Sequence, residues 1–472
     1  MIKKPKPRWW DYAVGDQAFY RAIFAIVIPI IVQNSISAFV GLLDNVMVGQ
    51  LGTEEMSGVA VANQLIFVFN LCVFGGISGA SIFCAQFFGA KDYESMRACT
   101  RFKLYTGIVL FLLCAAVFTC LGTPLISLFL NEKDSPEMVV RTLAAGEQYL
   151  KIMLVGLLPS ALSQAYASTL RDAGETRLAM GASLTAVGTN MLLNYALIFG
   201  RLGAPAMGVA GAAIATVVAR YVELAIILVC VHRNSEKYFY MKGLYRTLRV
   251  PAGLAWRITV RGLPLLINET LWSSGLSFLT QLYSVRGLRV VAAVNIASTV
   301  HNLFNTAVLS LGLAVAVMVG QALGAGDSVQ AKKTAWRMMT FSAVASLVME
   351  ALLMVASPYI PLLYNTTSDV RTLSVTLIRI LAMTMPIGAF ANCCYYILRS
   401  GGKTIATFLF DSVPVWALNI PLVYALVYFT NADIVFIYAM GQAVNVIKCI
   451  VGIILVKKGI WIHNMTVAPA ES

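Results

Sequence analysis

The chain has 472 residues, of which 59% are hydrophobic and 12% are charged, and its formal net charge is +13. A soluble domain carries roughly 25% charged residues, and a mean hydropathy of +0.77 leaves too little polar surface to make one. The composition therefore predicts an integral membrane protein and excludes a soluble one.

Apolar segments long enough to cross a bilayer follow one another along the chain. The hydrocarbon core requires about 20 apolar residues in a helix, and twelve segments meet that requirement. We predict spans near 19–46, 58–84, 103–129, 143–169, 178–199, 207–231, 260–283, 292–318, 336–361, 373–397, 404–429 and 433–456. The expected fold class is thus an all-α integral membrane protein with twelve transmembrane helices.

The basic residues alternate with these spans. Of the 35 Lys and Arg residues, 24 lie before the first span or after an even-numbered one, while six lie in the opposite loops. By the positive-inside rule, both termini are expected in the cytoplasm. The positive charge therefore indicates topology and contact with anionic lipid headgroups, and it does not indicate nucleic acid.

One phrase occurs twice. Gln86–Asp92 reads QFFGAKD, and Gln321–Asp327, 235 residues later, reads QALGAGD; the same spacing joins Pro29 to Pro264. We predict an N-terminal lobe at 1–231 (spans 1–6), a cytoplasmic linker loop at 232–259 and a C-terminal lobe at 260–472 (spans 7–12). Duplicated helical halves are typical of secondary transporters, which bind substrate between or within the halves.

We single out five carboxylates inside predicted spans, where an unpaired charge costs about 2.5–3.5 kcal/mol or more at a helix centre. They are Asp44, Glu223, Glu269, Glu350 and Asp411. Such residues are functional candidates by default. Structural alternatives stay open for three of them, because Asp44 lies near a helix end, Glu223 follows Arg220 by three residues, and Glu350 fits either interpretation.

Glu269 and Asp411 are expected at similar depth, roughly 10–14 Å from the cytoplasmic side at 1.5 Å per helical residue. We predict that both face one cavity of the C-terminal lobe, where two like charges cannot both ionise cheaply. Pro414 follows Asp411 by one turn and predicts a loosened helix. Trp272 lies three residues after Glu269, a spacing suited to binding a flat cation.

Signals of catalysis or of a cofactor are missing from the sequence. There is no Walker A motif, no nucleophile elbow and no paired-carboxylate arrangement of an enzyme. The nine cysteines form no C-x-x-C pair, and the three histidines are far apart in sequence. We therefore expect a protein that is not an enzyme, has no cofactor and holds no metal beyond a possible Na⁺.

Five ordered motifs, together with the duplication, resemble the multidrug and toxic compound extrusion (MATE) family. They are Asp44–Gly52 after Pro29, Gln86–Asp92, Leu170–Thr176, Asn190–Asn194 and Gly208–Thr216. The likeness covers nearly the whole chain. It implies two six-helix lobes around a V-shaped cavity and export of organic cations against inward flow of Na⁺ or H⁺.

The resemblance also assigns roles to residues. Asp44 matches the acidic residue of the family's first helix that takes the coupling ion. Asn190 and Asn194 match the polar pair of the fifth helix, and Thr216 matches a threonine of the sixth. One branch of the family has Asp in place of Asn194, so this chain resembles the NorM-like branch. Interhelical amide hydrogen bonds are the structural alternative for the Asn pair.

In the C-terminal lobe the resemblance is less complete. A Glu in helix seven is important in NorM-like members, but Glu269 follows Pro264 more closely than the family spacing implies. Glu269, Asp411 and Trp272 are therefore candidates for substrate or proton binding. Their assignment is a hypothesis.

The function expected from this resemblance is secondary active antiport by alternating access, exporting amphipathic organic cations or drugs in exchange for Na⁺ or H⁺. We expect a monomer in the cytoplasmic (inner) cell membrane, whose partners are small organic cations and the lipid bilayer. A flippase of a lipid-linked precursor on a related two-lobe fold would show a strongly cationic central cavity. A membrane-embedded lipid-modifying enzyme would need a catalytic cluster near one interface.

Overall fold

The computed structural model describes residues 13–129, 136–364 and 366–466, and these residues contain helices and connecting turns but no strand. The α-helices from Gln17 onward are α1 (Gln17–Gly49), α2 (Thr53–Gly89), α3 (Tyr93–Ser127), α4 (Pro136–Asp172), α5 (Arg177–Phe199), α6 (Gly208–Arg233), α7 (Ala252–Ser284), α8 (Leu288–Gly324), α9 (Ser328–Ala356), α10 (Ser368–Ser400), α11 (Thr404–Pro414), α12 (Ile420–Phe429) and α13 (Ile434–Lys458). The all-α prediction is confirmed.

Each predicted span coincides with one of these helices, α11 and α12 together forming the eleventh. In the part of the chain that the structure describes, 11 helices are long and apolar enough to cross a membrane. The exception is α7, which has 33 residues but carries Asn268, Glu269 and several Ser and Thr residues. The chain is a multi-pass membrane protein. The basic residues before the first span and the loop residues 130–135, used for the topology, lie outside the described residues.

The eleventh span is interrupted. Pro414 ends α11, and the next turn, Val415–Asn419, is wound as a π-helix before α12 begins. Proline has no N–H to donate, so it removes one hydrogen bond from the helix, and π-turns occur frequently at functional sites. The loosened helix expected after Asp411 is therefore present.

The chain forms two compact units. The N unit contains Ile28–Cys84 and Tyr93–Thr259, and the C unit contains the described residues up to Val27, Ala85–Asp92 and those from Val260 onward. Each has its own apolar core, in which Phe69 (N unit) and Leu377 (C unit) have no exposed surface. The helices α1, α2 and α7 each have residues in both units. The predicted lobe boundaries at 231 and 260, which divide the chain into contiguous parts, stay a prediction.

The predicted linker packs onto the N unit. Tyr240 and Met241, in a 3-10 turn of this loop, are 2% and 1% exposed. Arg101 donates from Nε to the carbonyl of Leu244 at 2.7 Å, and Tyr105 donates to the carbonyl of Leu248 at 2.6 Å. These contacts tie the segment after α6 to α3.

The duplicated phrase ends two helices that touch within the C unit. A Cβ added to Gly89 would overlap the carbonyl oxygen of Gln321, and a Cβ added to Gly324 would overlap the carbonyl oxygen of Gln86. Glycine is the residue that lets two backbones approach so closely. The two copies of the phrase therefore serve one reciprocal contact.

Gln86 adds hydrogen bonds at this contact and is fully buried. Its Nε2 donates to the carbonyl oxygens of Ser400 at 2.8 Å and His463 at 3.2 Å. Its Oε1 accepts from the backbone N–H of Met465 at 2.7 Å. The side chain thus links the end of α2 to the end of α10 and to the segment after α13.

The reciprocal contact predicts a stability difference between two glycines. Gly324→Ala should lower the free energy of unfolding by about 1–3 kcal/mol, because the methyl group meets backbone that cannot rotate away. Gly388→Ala in α10 is the control, since its methyl group would meet nothing within 4 Å. Thermal unfolding of the two purified variants in detergent measures this difference, and equal melting temperatures would contradict the contact.

Candidate ion-coupling and substrate sites

Four residues predicted from the sequence meet in one hydrogen-bonded chain of the N unit. Asp44 on α1 accepts from Nδ2 of Asn194 at 2.6 Å, and the same Nδ2 lies 3.1 Å from Oδ1 of Asn190. Asn190 donates to the hydroxyl of Thr216 on α6 at 3.1 Å, which donates to the carbonyl of Ala212 at 3.0 Å. We call these four residues the Asp44 cluster.

Local sequence explains this convergence. Asn190 and Asn194 are one helical turn apart, so they share a face of α5. Opposite them, α6 begins with small residues, and a Cβ added to Gly211 would overlap the carbonyl of Leu197 on α5. Small residues let membrane helices approach closely. That approach brings Thr216 to Asn190.

The charge of Asp44 has a neutral hydrogen-bond partner. Asn194 is fully buried, and its Oδ1 accepts no hydrogen bond from any described residue. The nearby base Arg220 is engaged by Glu223, whose carboxylate lies 3.3 Å away. The Asp44 cluster therefore offers carboxylate, amide and hydroxyl oxygens, of which one buried oxygen has no donor. Such a donor set fits a proton or a hard monovalent cation.

Glu223 forms a local ion pair with Arg220, which is the structural alternative to a functional role. Glu350 is half-buried on α9 and is not part of the Asp44 cluster. Trp272 is half-buried and packs against the apolar core of the C unit. Its predicted role in binding a flat cation stays a prediction.

Glu269 and Asp411 belong to one polar cluster of the C unit. Asn268 donates from Nδ2 to Oδ2 of Asp411 at 3.1 Å, and it lies 3.4 Å from the hydroxyl of Tyr395. Tyr395 donates in turn to Oε1 of Glu269 at 3.3 Å. Ser412 donates to Oδ1 of Asn268 at 2.6 Å and fixes the amide orientation.

Two bases complete this cluster, and sequence reasoning missed both. Lys448 on α13 lies with Nζ 2.6 Å from Oδ1 of Asp411. Arg399 on α10 is 5% exposed and interacts electrostatically with Glu269. The expectation of an isolated pair of like charges is therefore corrected, because each acid faces a base. The signal in the sequence is Lys448 itself, a base within the twelfth predicted span.

A buried base also faces an acid in the N unit. Lys103 has no exposed surface, and its Nζ lies 2.5 Å from Oδ2 of Asp172. The same Nζ donates to the hydroxyl of Ser168 at 3.1 Å. Lys103, Arg399 and Lys448 each face an acid, so these three bases do not form the strongly cationic surface that a flippase of anionic lipid precursors would need.

The family is decided by comparison with known proteins. The MatE family model matches residues 29–196 and 264–425, one match in each copy of the duplication and more than half of the chain in total. The chain belongs to the MATE family. Members of this family are multidrug efflux transporters rather than enzymes, and the family predicted from the motifs is confirmed.

Curated relatives agree along most of their length. A probable multidrug resistance protein NorM from Thermotoga maritima is 24% identical over 417 residues, which are 86% of this chain and 85% of that protein. The multidrug resistance protein PmpM from Pseudomonas aeruginosa is 26% identical over 417 residues, 87% of this chain and 84% of that protein. The NorM-like branch is therefore supported by name as well as by motif.

Solved structures share the fold. A MOP superfamily transporter from Pyrococcus furiosus, described as having a binding pocket of reverse polarity that suggests a different function, superposes with a TM-score of 0.83 at 18% identity, covering 97% of this chain and 98% of its own. A MATE transporter in complex with MaL6 gives a TM-score of 0.82 at 18% identity, covering 96% and 98%. The MATE-type two-lobe fold is confirmed. Substrate polarity must come from the residues of this chain.

The Asp44 cluster predicts coupled stabilities. Asn194→Leu removes the donor to a half-buried carboxylate and should lower the free energy of unfolding by about 1–3 kcal/mol. The loss should be smaller in an Asp44→Asn background, since the charge that needs the donor is gone. Thermal unfolding measures the cycle, with Thr185→Val as control, because that exposed hydroxyl bonds only within α5. Equal losses in both backgrounds would contradict the coupling.

Proposed function

We propose that the protein is a secondary active antiporter that exports amphipathic organic cations in exchange for inward Na⁺ or H⁺. The observation that carries the proposal is the Asp44 cluster within a MATE fold. A membrane carboxylate whose hydrogen-bond partner is a neutral amide, beside a buried amide oxygen that has no donor among the described residues, is suited to reversible binding of a cation. Relatives named as multidrug resistance proteins support the substrate class.

The Asp44 cluster would couple ion binding to conformation through charge. An incoming Na⁺ or H⁺ neutralises Asp44, and rotation of the Asn194 and Asn190 amides turns oxygens toward the ion. The same ion drives the transport cycle only if the two conformations bind it with different affinity. When Asp44 loses its charge, its hydrogen bond from Asn194 weakens, so the contact between α1 and α5 changes. This change would supply the difference in ion affinity between the two conformations.

In the C unit, Glu269 is the better candidate for an organic cation. Both oxygens of Asp411 have a partner, one of them the Lys448 ammonium at 2.6 Å, whereas Glu269 accepts its hydrogen bond from the neutral Tyr395 hydroxyl, and Arg399 acts on it through its charge. An organic cation with an aromatic or apolar body would add its charge beside Glu269 and its surface beside apolar neighbours, which discriminate weakly between substrates. We place the protein in the cytoplasmic membrane with both termini inside and propose that it acts as a monomer.

Asp44→Asn should abolish efflux of a fluorescent cationic dye from an efflux-deficient host, because Asn keeps the shape of Asp but cannot exchange charge. Efflux is followed with sodium and pH varied separately, which identifies the coupling ion. Asp369→Asn is the matched control, since Asp369 is an exposed acid in the first turn of α10. Full efflux by a normally expressed Asp44→Asn protein would refute the proposed role.

Asn190→Ala should weaken the dependence on the coupling ion more than the affinity for dye, since the amide contributes an oxygen to the ion and none to the substrate. Transport rates are measured against ion concentration in proteoliposomes, and dye affinity is measured by fluorescence polarisation. Glu269→Gln should show the converse, a loss of dye affinity with ion dependence retained. The assignment fails if Asn190→Ala leaves the ion dependence unchanged while dye binding falls.

A further inference from the structure

The carboxylate of Asp411 has a charged partner supplied by the protein itself. Its Oδ1 lies 2.6 Å from the Lys448 ammonium, and its Oδ2 accepts from Asn268 at 3.1 Å. The side chains of Lys448 and Asp411 are only 10% and 18% exposed. Both oxygens of the acid are therefore engaged within the C unit.

Asp44 in the N unit and Asp411 in the C unit have different kinds of partner. Asp44 is held by the neutral amide of Asn194, whose own oxygen lacks a donor among the described residues. Asp411 is held by a primary ammonium group at hydrogen-bond distance. A cation that comes from water can bind beside Asp44 and make that cluster neutral. At Asp411 the corresponding position is taken by Lys448.

Charge balance in the C unit strengthens this difference. Two acids, Glu269 and Asp411, face two bases, Arg399 and Lys448, and Tyr395 and Asn268 connect the acids. A buried charge without a counter-charge costs several kcal/mol. Adding a monovalent cation at Asp411 while Lys448 stays in place would set two cations against one carboxylate, and their repulsion opposes its binding.

We propose that the Lys448 ammonium is a resident cation that fills the cation-binding position of Asp411, so that this position takes no coupling ion. The inference deepens the proposed function and rests on it for the identity of the transport cycle. Its consequence is specific. Removing the charge of Lys448 should turn Asp411 into a second cation site.

Covalent labelling of carboxyl groups tests this consequence. Dicyclohexylcarbodiimide reacts with protonated carboxyl groups in apolar surroundings, and peptide mass spectrometry locates the modified residue. Purified wild type, Lys448→Arg and Lys448→Gln are treated near neutral pH, with and without NaCl. Asp411 should stay unmodified in wild type and in Lys448→Arg, which keeps the cation.

In Lys448→Gln, modification of Asp411 should rise about tenfold or more, as expected when a partly buried acid loses its counter-charge. Protection by NaCl would identify the new site as one for Na⁺, and labelling without protection would identify it as one for protons; either result supports the proposal. Equal modification of Asp411 in wild type, or none in Lys448→Gln, would overturn it.

A thermodynamic cycle provides a second measurement in case Lys448→Gln folds poorly. Asp411→Asn added to Lys448→Gln should restore most of the lost melting temperature, because the double variant has no unpaired charge. No restoration would overturn the pairing on which the inference depends. Modification of Asp44 in the same digests reports separately on the proposed function, since its failure there leaves the comparison at Asp411 unaffected.

Discussion

Charge compensation in a medium without water is the constraint on which both polar clusters depend. A buried charge is tolerated only when the protein supplies a partner, and Asp44, Asp411 and Asp172 each receive one of a different kind. Asp172 faces Lys103 in a buried pair, Asp411 faces Lys448, and Asp44 has the Asn194 amide as its hydrogen-bond partner. Across the three arrangements, the counter-charge of the acid ranges from one fixed in the protein to one that an ion from water can supply. The least compensated acid is the one suited to exchange ions with water.

The fold was largely readable from the sequence because the bilayer imposes length and composition on each helix. Span number, the all-α class and the duplication followed from apolar runs and one repeated phrase. Helix ends did not follow, since polar turns extend helices beyond the hydrocarbon core; α3 begins at Tyr93 although its apolar stretch begins near 103. The reciprocal contact of Gly89 and Gly324 was also out of reach, because it joins residues far apart in the chain and depends on tertiary packing.

The sequence predicted which polar residues lie together in the N unit, and it missed two bases of the cluster in the C unit. Asn190 and Asn194 lie one turn apart, so helical geometry alone places them together, and the family motif points to Asp44 and Thr216. In the C unit, Arg399 lies just after the tenth predicted span and so counts there as a loop residue, although α10 continues to Ser400 and buries it. Lys448 was overlooked because its neighbours in the span are apolar. A base within a span predicts an acid on another helix, but the sequence does not say which acid.

Duplication supplies two similar scaffolds, and the difference in their partners gives them separate tasks. An ion that comes from water is not covalently attached to the protein, so its binding free energy can differ between two conformations, as coupling requires. Lys448 is tethered to α13 and cannot leave, so Asp411 keeps its counter-charge through every state in which these helices stay together. Its network through Asn268 and Tyr395 can therefore hold Glu269 in position without responding to the coupling ion. In the proposed cycle, the N unit responds to the ion gradient while the C unit keeps a constant field for the organic cation, and the two ligands need not compete for a single carboxylate.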